Sequence, residues 1–393
     1  MEADIRIPRS LRELEVETGP RPRPLSGTEM KKAWNRVISD LERFARSELV
    51  TLVVNDATRP PSYPMLEPVR ELLEGKVRVL FATGTHRPVT LKERDYLLGG
   101  CFAGAPWRSN DCDSPDMADI GETSRGTRVK IDPWLLDGYP VLSVNSVEPH
   151  YFAGFTGGRK SFLPGVSARE TVVANHYHAC LPGSGPGVLE GNPVHEDMNE
   201  ALSMLEERAE IVQGNGVMHH GDLVSFFTGS CRDSFERAAA ESARLSELSV
   251  RGRCRLAVLH PGAPLHVSLY QSEKALYNCS HIVEDGGAIL LVSPCPEGLG
   301  AAHMEQAFVS SMDETWTTPG RNGYRIGDHA IVRLKEIRKR MTIALASHLP
   351  DELVSRMGIQ PVKDLDEWVR KYPSDRTLFI PRAGFVVPRL ESE

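Results

Sequence analysis

Apolar positions along this chain fall into two rhythms that alternate. Over residues 28–47 they recur at helical spacing (Met30, Trp34, Val37, Ile38, Leu41, Phe44), with Ser26 or Thr28 placed to cap the helix. The next run, Leu49-Val-Thr-Leu-Val-Val-Asn55, is continuously apolar and reads as a buried strand. A helix over 63–74 follows, then a second such strand, Val77-Arg-Val-Leu-Phe-Ala82. Residues 101–130 read as irregular, and a third strand is expected at 139–145. Helices are expected over 168–180, 195–211 and 234–247, with a Gly- and Pro-rich loop over 181–193. The alternation resumes with strands at 255–260 and 288–293, a helix at 328–341, a strand at 342–346, helices at 351–357 and 362–372, and a last strand at 377–381. Residues 1–26, rich in proline and charge, read as an irregular or edge-strand lead-in.

Strand, polar loop, helix, repeated, indicates an α/β fold with largely parallel sheets, whose ligands gather outside the carboxyl ends of the strands. The expected organisation is two α/β domains, 1–250 and 251–393, with an active-site cleft between them; roughly the last ten residues are expected to pack back on the first domain.

Three of the strand-end loops carry reactive side chains. They are Asp56-Ala-Thr-Arg-Pro60, Gly84-Thr-His-Arg87, and Glu148-Pro-His-Tyr-Phe-Ala-Gly-Phe-Thr-Gly-Gly-Arg-Lys160, with His176 a little downstream. Topology alone sends them to one edge of the sheet. Glycines at 154, 157 and 158 allow tight turns and close approach to a ligand, and Arg159 and Lys160 add positive charge where a phosphate could meet free N–H groups. The plain reading is a tight turn with two solvated cations. A P-loop needs glycine directly before Lys-Ser, and Arg159 stands there instead. His86 and His150 could each take or give a proton near neutral pH, and a third histidine, His176, could hold a metal. Arg59 could clamp a carboxylate, and Asp56 could orient a histidine or simply cap a helix.

Composition narrows the choice. The net charge of −7 argues against a nucleic-acid binder working by bulk electrostatics, and no apolar run is long enough to span a membrane. The first residues lack the apolar core of a signal peptide. Seven scattered cysteines form no CxxC pair, which points away from structural zinc and disulfides and toward the cytoplasm.

Asp56-x-Thr-Arg-Pro60, Gly84-Thr-His-Arg87, the Glu148 to Lys160 motif and Asn175-His176 together resemble the lactate racemase family of nickel-pincer nucleotide enzymes. Gln271-x-x-Lys274 and Tyr324-Arg-Ile-Gly-Asp-His-Ala330 extend the resemblance through nearly the whole chain. It implies a racemase or epimerase that inverts C2 of a 2-hydroxy acid by reversible hydride transfer to a nickel-pincer nucleotide. His86 and His150 would be the acid/base pair, and His176 would complete nickel coordination. Lys160 is the lysine that can be joined to the cofactor through a thioamide. Asp56, Thr58, Gly157, Gly158 and Arg159 belong with cofactor binding, and Arg59, Gln271 and Lys274 with substrate. Cofactor-biosynthesis enzymes are the implied partners. Family substrates range from lactate to larger 2-hydroxy acids and sugar acids, so a sugar-acid 2-epimerase stays open, as does a protein that binds the cofactor without turnover. A phosphate-transferring enzyme built on 154–161 would instead take ATP and magnesium. A tryptophan common in the family's C-terminal half has only Trp316 as a candidate counterpart, while Tyr270 is a candidate pocket residue.

Overall fold

The structure, a computed structural model, describes residues 5, 7–12, 16, 22–300 and 304–391. Its contacts divide the chain into two compact units, Pro20–Leu245 and Met1–Gly19 with Ser246–Glu393.

The first unit is built on a six-stranded sheet: β1 (Val50–Asn55), β2 (Val77–Ala82), β3 (Trp107–Ser109), β4 (Val141–Val147), β5 (Ile211–His219) and β6 (Asp222–Gly229). Their order across the sheet is β6-β5-β4-β1-β2-β3. β1 runs parallel to both β2 and β4, with Val54 opposite Phe81 on one side and Val144 on the other. Only β6 is antiparallel to its neighbour. The chain leaves β1 to one side for β2 and later returns on the other side as β4. Strand order therefore reverses beside β1, and the loops after β1 and β4 open a crevice there.

Ser26 caps the helix Gly27–Trp34, exchanging hydrogen bonds with Glu29 in a capping box. The expected helix over 28–47 is interrupted: Gly27–Trp34 and Ile38–Phe44 are joined by a 3-10 turn, Asn35–Val37. Its apolar face still reaches the core. Trp34 meets Phe226 edge-on at 5.1 Å and donates from its indole nitrogen to the Met65 carbonyl at 2.8 Å. The helix expected over 63–74 is likewise cut into short pieces around Pro68, whose ring nitrogen cannot donate to a preceding turn.

Two further regions differ from the sequence expectation. The stretch 101–130 contains β3 and the antiparallel pair Ala118–Glu122 with Arg128–Ile131. These strands are short and mostly half-exposed, so they lack the continuous apolar signature of β1. The helix expected over 195–211 ends at Glu206, and Ile211 opens β5, with β6 after it. Gly214 and Gly216 hide that strand. A Cβ at Gly214 would lie 2.6 Å from the Phe226 ring, and one at Gly216 would lie 2.5 Å from the Met65 sulfur. Core side chains from neighbouring elements fill the space the glycines vacate, so the strand itself does not read as apolar.

Four helices matter below: α1 (Arg169–Tyr177), α2 (Pro193–Glu206), α3 (Cys231–Ser246) and α4 (Leu269–Cys279). The second unit holds a five-stranded parallel sheet: β7 (Cys254–Leu259), β8 (Val283–Val292), β9 (Thr342–Ala346), β10 (Gln360–Pro361) and β11 (Thr377–Ile380). The order is β10-β9-β8-β7-β11. The described residues of the lead-in up to Val16 belong to this unit. Leu11 is buried in its core beside Leu256, Leu290 and Phe379, and the Val16 N–H donates to the Phe379 carbonyl at 3.0 Å. The strand Val387–Leu390 pairs in parallel with Glu247–Val250.

Candidate active site

Each of the three chemically marked loops starts where a buried parallel strand runs out, and each is tied to another. Arg59 on the first loop faces Glu148 on the third at 3.7 Å. Asp56 on the first holds His86 on the second, with 2.7 Å between Oδ2 and Nδ1. The Gly84 N–H on the second donates to the Gly165 carbonyl beyond the third at 2.8 Å. Tethered loops keep their side chains in register without help from a ligand.

Asp56 is buried, whereas the His86 side chain keeps 53% of its surface exposed. Burial pushes the Asp56 carboxyl up, but the hydrogen bond and charge of His86, the Thr58 hydroxyl and the charge of Arg59 together hold it below its ordinary value. Its other oxygen, Oδ1, accepts from the Thr58 N–H at 3.1 Å and from the Thr58 hydroxyl at 2.6 Å. A carboxylate on Nδ1 selects the tautomer in which Nδ1 carries the proton, leaving Nε2 as the basic nitrogen of His86.

The third loop folds back on itself. The Thr156 N–H donates to the Glu148 carbonyl at 2.8 Å, and the Glu148 N–H donates to the Thr156 hydroxyl at 2.9 Å. Gly157 and Gly158 both have left-handed backbone (φ +70° and +56°) and lie against β4, β5 and Phe235, where a Cβ would come within 2.6 Å and 2.4 Å of neighbours. Two polar residues of β5 receive this turn: Asn215 Oδ1 accepts from the Gly158 N–H at 3.0 Å, and Gln213 donates to the Gly158 carbonyl at 3.1 Å.

Arg159 turns inward. Its guanidinium is buried over the Phe235 ring of α3 at 4.2 Å and donates to the Ala153 carbonyl at 2.5 Å; burial lowers its pKa to about 9. It braces the turn from behind. Lys160 points the other way, with Nζ 3.3 Å from His150 Nε2. The Ala153 N–H donates to His150 Nδ1 at 3.3 Å, so Nε2 is the nitrogen that can exchange a proton with that amine.

Phe152 joins this group to His176. Its ring meets His150 edge-on at 4.5 Å and His176 at 5.0 Å, and Lys160 Nζ lies 5.3 Å from its centroid. The structure thus gathers His150, Lys160 and His176 around one aromatic ring, and Asp56, Thr58, Arg59 and His86 around one carboxylate. Sequence reasoning assigned no role to Phe152, Glu148, Gln213 or Asn215. The alternation Gln213-Gly-Asn215 was the available signal for the last two, since polar side chains there need partners inside the sheet.

In the second unit, Gln271 and Lys274 pair on α4, with Lys274 Nζ donating to Gln271 Oε1 at 2.6 Å. Between them Glu273 is buried and bonded by the Tyr277 hydroxyl at 2.9 Å; burial raises its pKa to about 8. Tyr324 and His329 of the Tyr-Arg-Ile-Gly-Asp-His-Ala stretch bond to each other at 2.7 Å. Trp316 offers its carbonyl to Lys335 Nζ at 2.7 Å.

Loops bearing histidines, held by carboxylate and amine at the switch point of a parallel sheet, define an α/β protein with its titratable groups gathered beyond the strand ends. Comparison with known proteins agrees with that class. Residues 11–186 match the family described as the lactate racemase N-terminal domain. The lactate racemase of Thermoanaerobacterium thermosaccharolyticum is 28% identical over 274 residues, 67% of this chain and 64% of that protein's length. The lactate racemase of Lactiplantibacillus plantarum is 26% identical over 356 residues, 86% of this chain and 83% of that protein. Among solved structures, the lactate racemase apoprotein from Thermoanaerobacterium thermosaccharolyticum superposes with a TM-score of 0.84 at 23% identity, covering 98% of this chain and 97% of that one. A Thermotoga maritima protein gives 0.73 at 16% identity, covering 94% and 99%. These likenesses show the fold. In residues 11–186 the chain is similar to the lactate racemase N-terminal domain, and the relatives it matches are named lactate racemases, which are isomerases.

Proposed function

We propose that this protein is a racemase or epimerase inverting C2 of a 2-hydroxy acid, lactate-like or larger, with His86 and His150 as its two acid/base groups. The observation that carries the reading is that two imidazoles on separate, tethered loops each have Nδ1 committed to a protein partner, Asp56 for His86 and the Ala153 N–H for His150.

Inversion at C2 requires the α-hydrogen to leave and return on opposite faces, while the hydroxyl proton moves to and from a base. One histidine serves each enantiomer, which is why two are needed. On His86, Asp56 steadies the imidazolium that forms when Nε2 takes the hydroxyl proton. Arg59, Gln271 and Lys274 are the donors proposed for the carboxylate and carbonyl oxygens of the substrate.

The chain's own donor set fits a nickel-pincer nucleotide. Among the described residues no group of three or more His, Cys, Asp or Glu is gathered to hold a metal ion. A single imidazole, His176, suits a nickel ion whose cofactor brings its other donors. When bound, that group supplies the site that accepts and returns the α-hydrogen. Lys160 would hold it, through a thioamide or by charge; Asp56, Thr58, Gly157 and Gly158 would shape its seat, and Arg159 would stiffen that seat from behind. We infer the reducing cytoplasm from seven scattered cysteines that form no CxxC pair. Partners would be the enzymes that make the cofactor.

The test is a panel of single-enantiomer 2-hydroxy acids, from lactate to aromatic and sugar acids, with protein co-expressed with the cofactor-making enzymes. Interconversion of one class, and its loss by about 10²–10⁴-fold in His86→Ala and in His150→Ala, is expected. Full activity in both variants would sink the two-base mechanism, and cofactor bound with no turnover of any acid would make the protein a carrier.

A further inference from the structure

Behind His176 lies a side-chain network that none of the chemistry above uses, centred on Asp197 of α2. This carboxylate is completely buried. Its Oδ1 accepts from the Thr123 hydroxyl at 2.5 Å. Its Oδ2 accepts from the Thr127 hydroxyl at 2.8 Å and from Asn175 Nδ2 at 2.7 Å, with His178 Nε2 at 3.7 Å. Thr123, Thr127, Asn175 and His178 are themselves buried. A buried carboxylate is tolerated only where donors surround it, and losing one of them is costly, so this geometry is strongly held.

The three donors and the nearby His178 come from three elements. Thr123 and Thr127 form the turn between Ala118–Glu122 and Arg128–Ile131, closed by the Thr123 N–H donating to the Thr127 carbonyl at 3.0 Å. Asn175 is in the last turn of α1, and His178 begins the 3-10 turn that follows it. His176 lies between these last two. Successive residues on a helix point about 100° apart, so bonding Asn175 with His178 set against the same carboxylate fixes the rotation of the helix end and the direction in which the His176 ring leaves it.

We propose that Asp197 is a positioning residue for His176, holding the end of α1 so that the imidazole meets a nickel ion at bonding distance. The proposal rests on the reading of His176 as the nickel-completing ligand. Asp197 does not touch His176. It acts through Asn175 and His178, as residues behind a ligand commonly tune a metal site by about 10–100-fold in affinity.

The experiment uses holoprotein from cells making the cofactor and follows nickel release into excess EDTA, with cofactor content by absorbance and intact mass, and the melting temperature of each apoprotein. Asp197→Asn and Asn175→Ala should release nickel roughly 10–100-fold faster than wild type while retaining the nucleotide. Thr123→Val loosens only the far side of the network and should lower the melting temperature without a matching rise in release. Asn175→Ala leaves the threonine contacts in place, so it carries the test if Asp197→Asn does not fold. Wild-type release rates in these variants, or release that merely tracks melting temperature across all three, would make Asp197 a structural residue only and overturn the proposal. His176→Ala separates the two layers: if it keeps nickel like wild type, the ligand reading falls and this proposal with it. Fast release from His176→Ala alone overturns only the role of Asp197.

Discussion

Asp56 illustrates how one residue type supports two readings until its partners are known. In sequence, an aspartate two residues ahead of Thr-Arg-Pro could be a helix cap. In the structure its Oδ2 goes to His86 and its Oδ1 to Thr58, which makes it the group that sets the His86 tautomer. Asp56→Asn keeps the shape but offers an amide in place of the carboxylate. Interconversion should fall, with kcat/KM lowered by the same factor from either enantiomer because the equilibrium constant is unchanged, which steady-state rates measured from each enantiomer would show. Glu273 supports a prediction about pH. Burial raises its pKa from 4.5 to about 8. Between those values the folded chain binds the proton and the unfolded chain has released it, so this group makes stability fall as pH rises from about 4.5 to 8. Glu273→Gln removes that slope. Denaturant melts at pH 5 and pH 8 should therefore show the variant gaining on wild type at the higher pH. Charge and spacing alone do not separate Arg159 from Lys160, two adjacent cations after glycines. Only packing against Phe235 separates the inward brace from the outward amine.

At the scale of elements, the strands with continuous apolar runs were legible, because a buried parallel strand must be apolar on both faces. The three reactive loops were legible for the same reason: their unusual residues begin where an apolar run stops. What the pattern could not reveal was β5, whose glycines yield their space to Phe226 and Met65, or β3, which is too short to show a period. The turn at 157–158 shows how little freedom such a loop has. Gly158→Ala would place a methyl group 2.4 Å from Phe235 on left-handed backbone, and a loss of about 1–3 kcal/mol or more is expected. Gly104→Ala meets nothing within 4 Å and should change stability by less than about 0.5 kcal/mol. Thermal melts of the two apoproteins, read side by side, test the packing argument without reference to activity.

At the scale of the molecule, the alternation of strands and helices located two sheets but not the division of the chain between them. A lead-in rich in proline and charge carries no periodicity to say which core it joins. Leu11 joins the second one. Leu11→Ala should cost about 2–5 kcal/mol there. Hydrogen exchange is expected to quicken in β7 and β11 while β1 and β4 exchange as before. Uniform quickening in both sheets would show that the two units do not respond separately.

The way Leu11 and Val16 are used also bears on how the protein is made. The unit carrying the three loops is one continuous stretch, so on the ribosome it can close as soon as β6 and α3 have emerged. The other unit is a ring in sequence, its earliest residues seated against β11, among its latest. Leu11 must wait through the synthesis of the entire first unit before its neighbour Phe379 exists. The half that bears the reactive histidines is therefore built first and in order, and the half that bears Gln271 and Lys274 is fastened last.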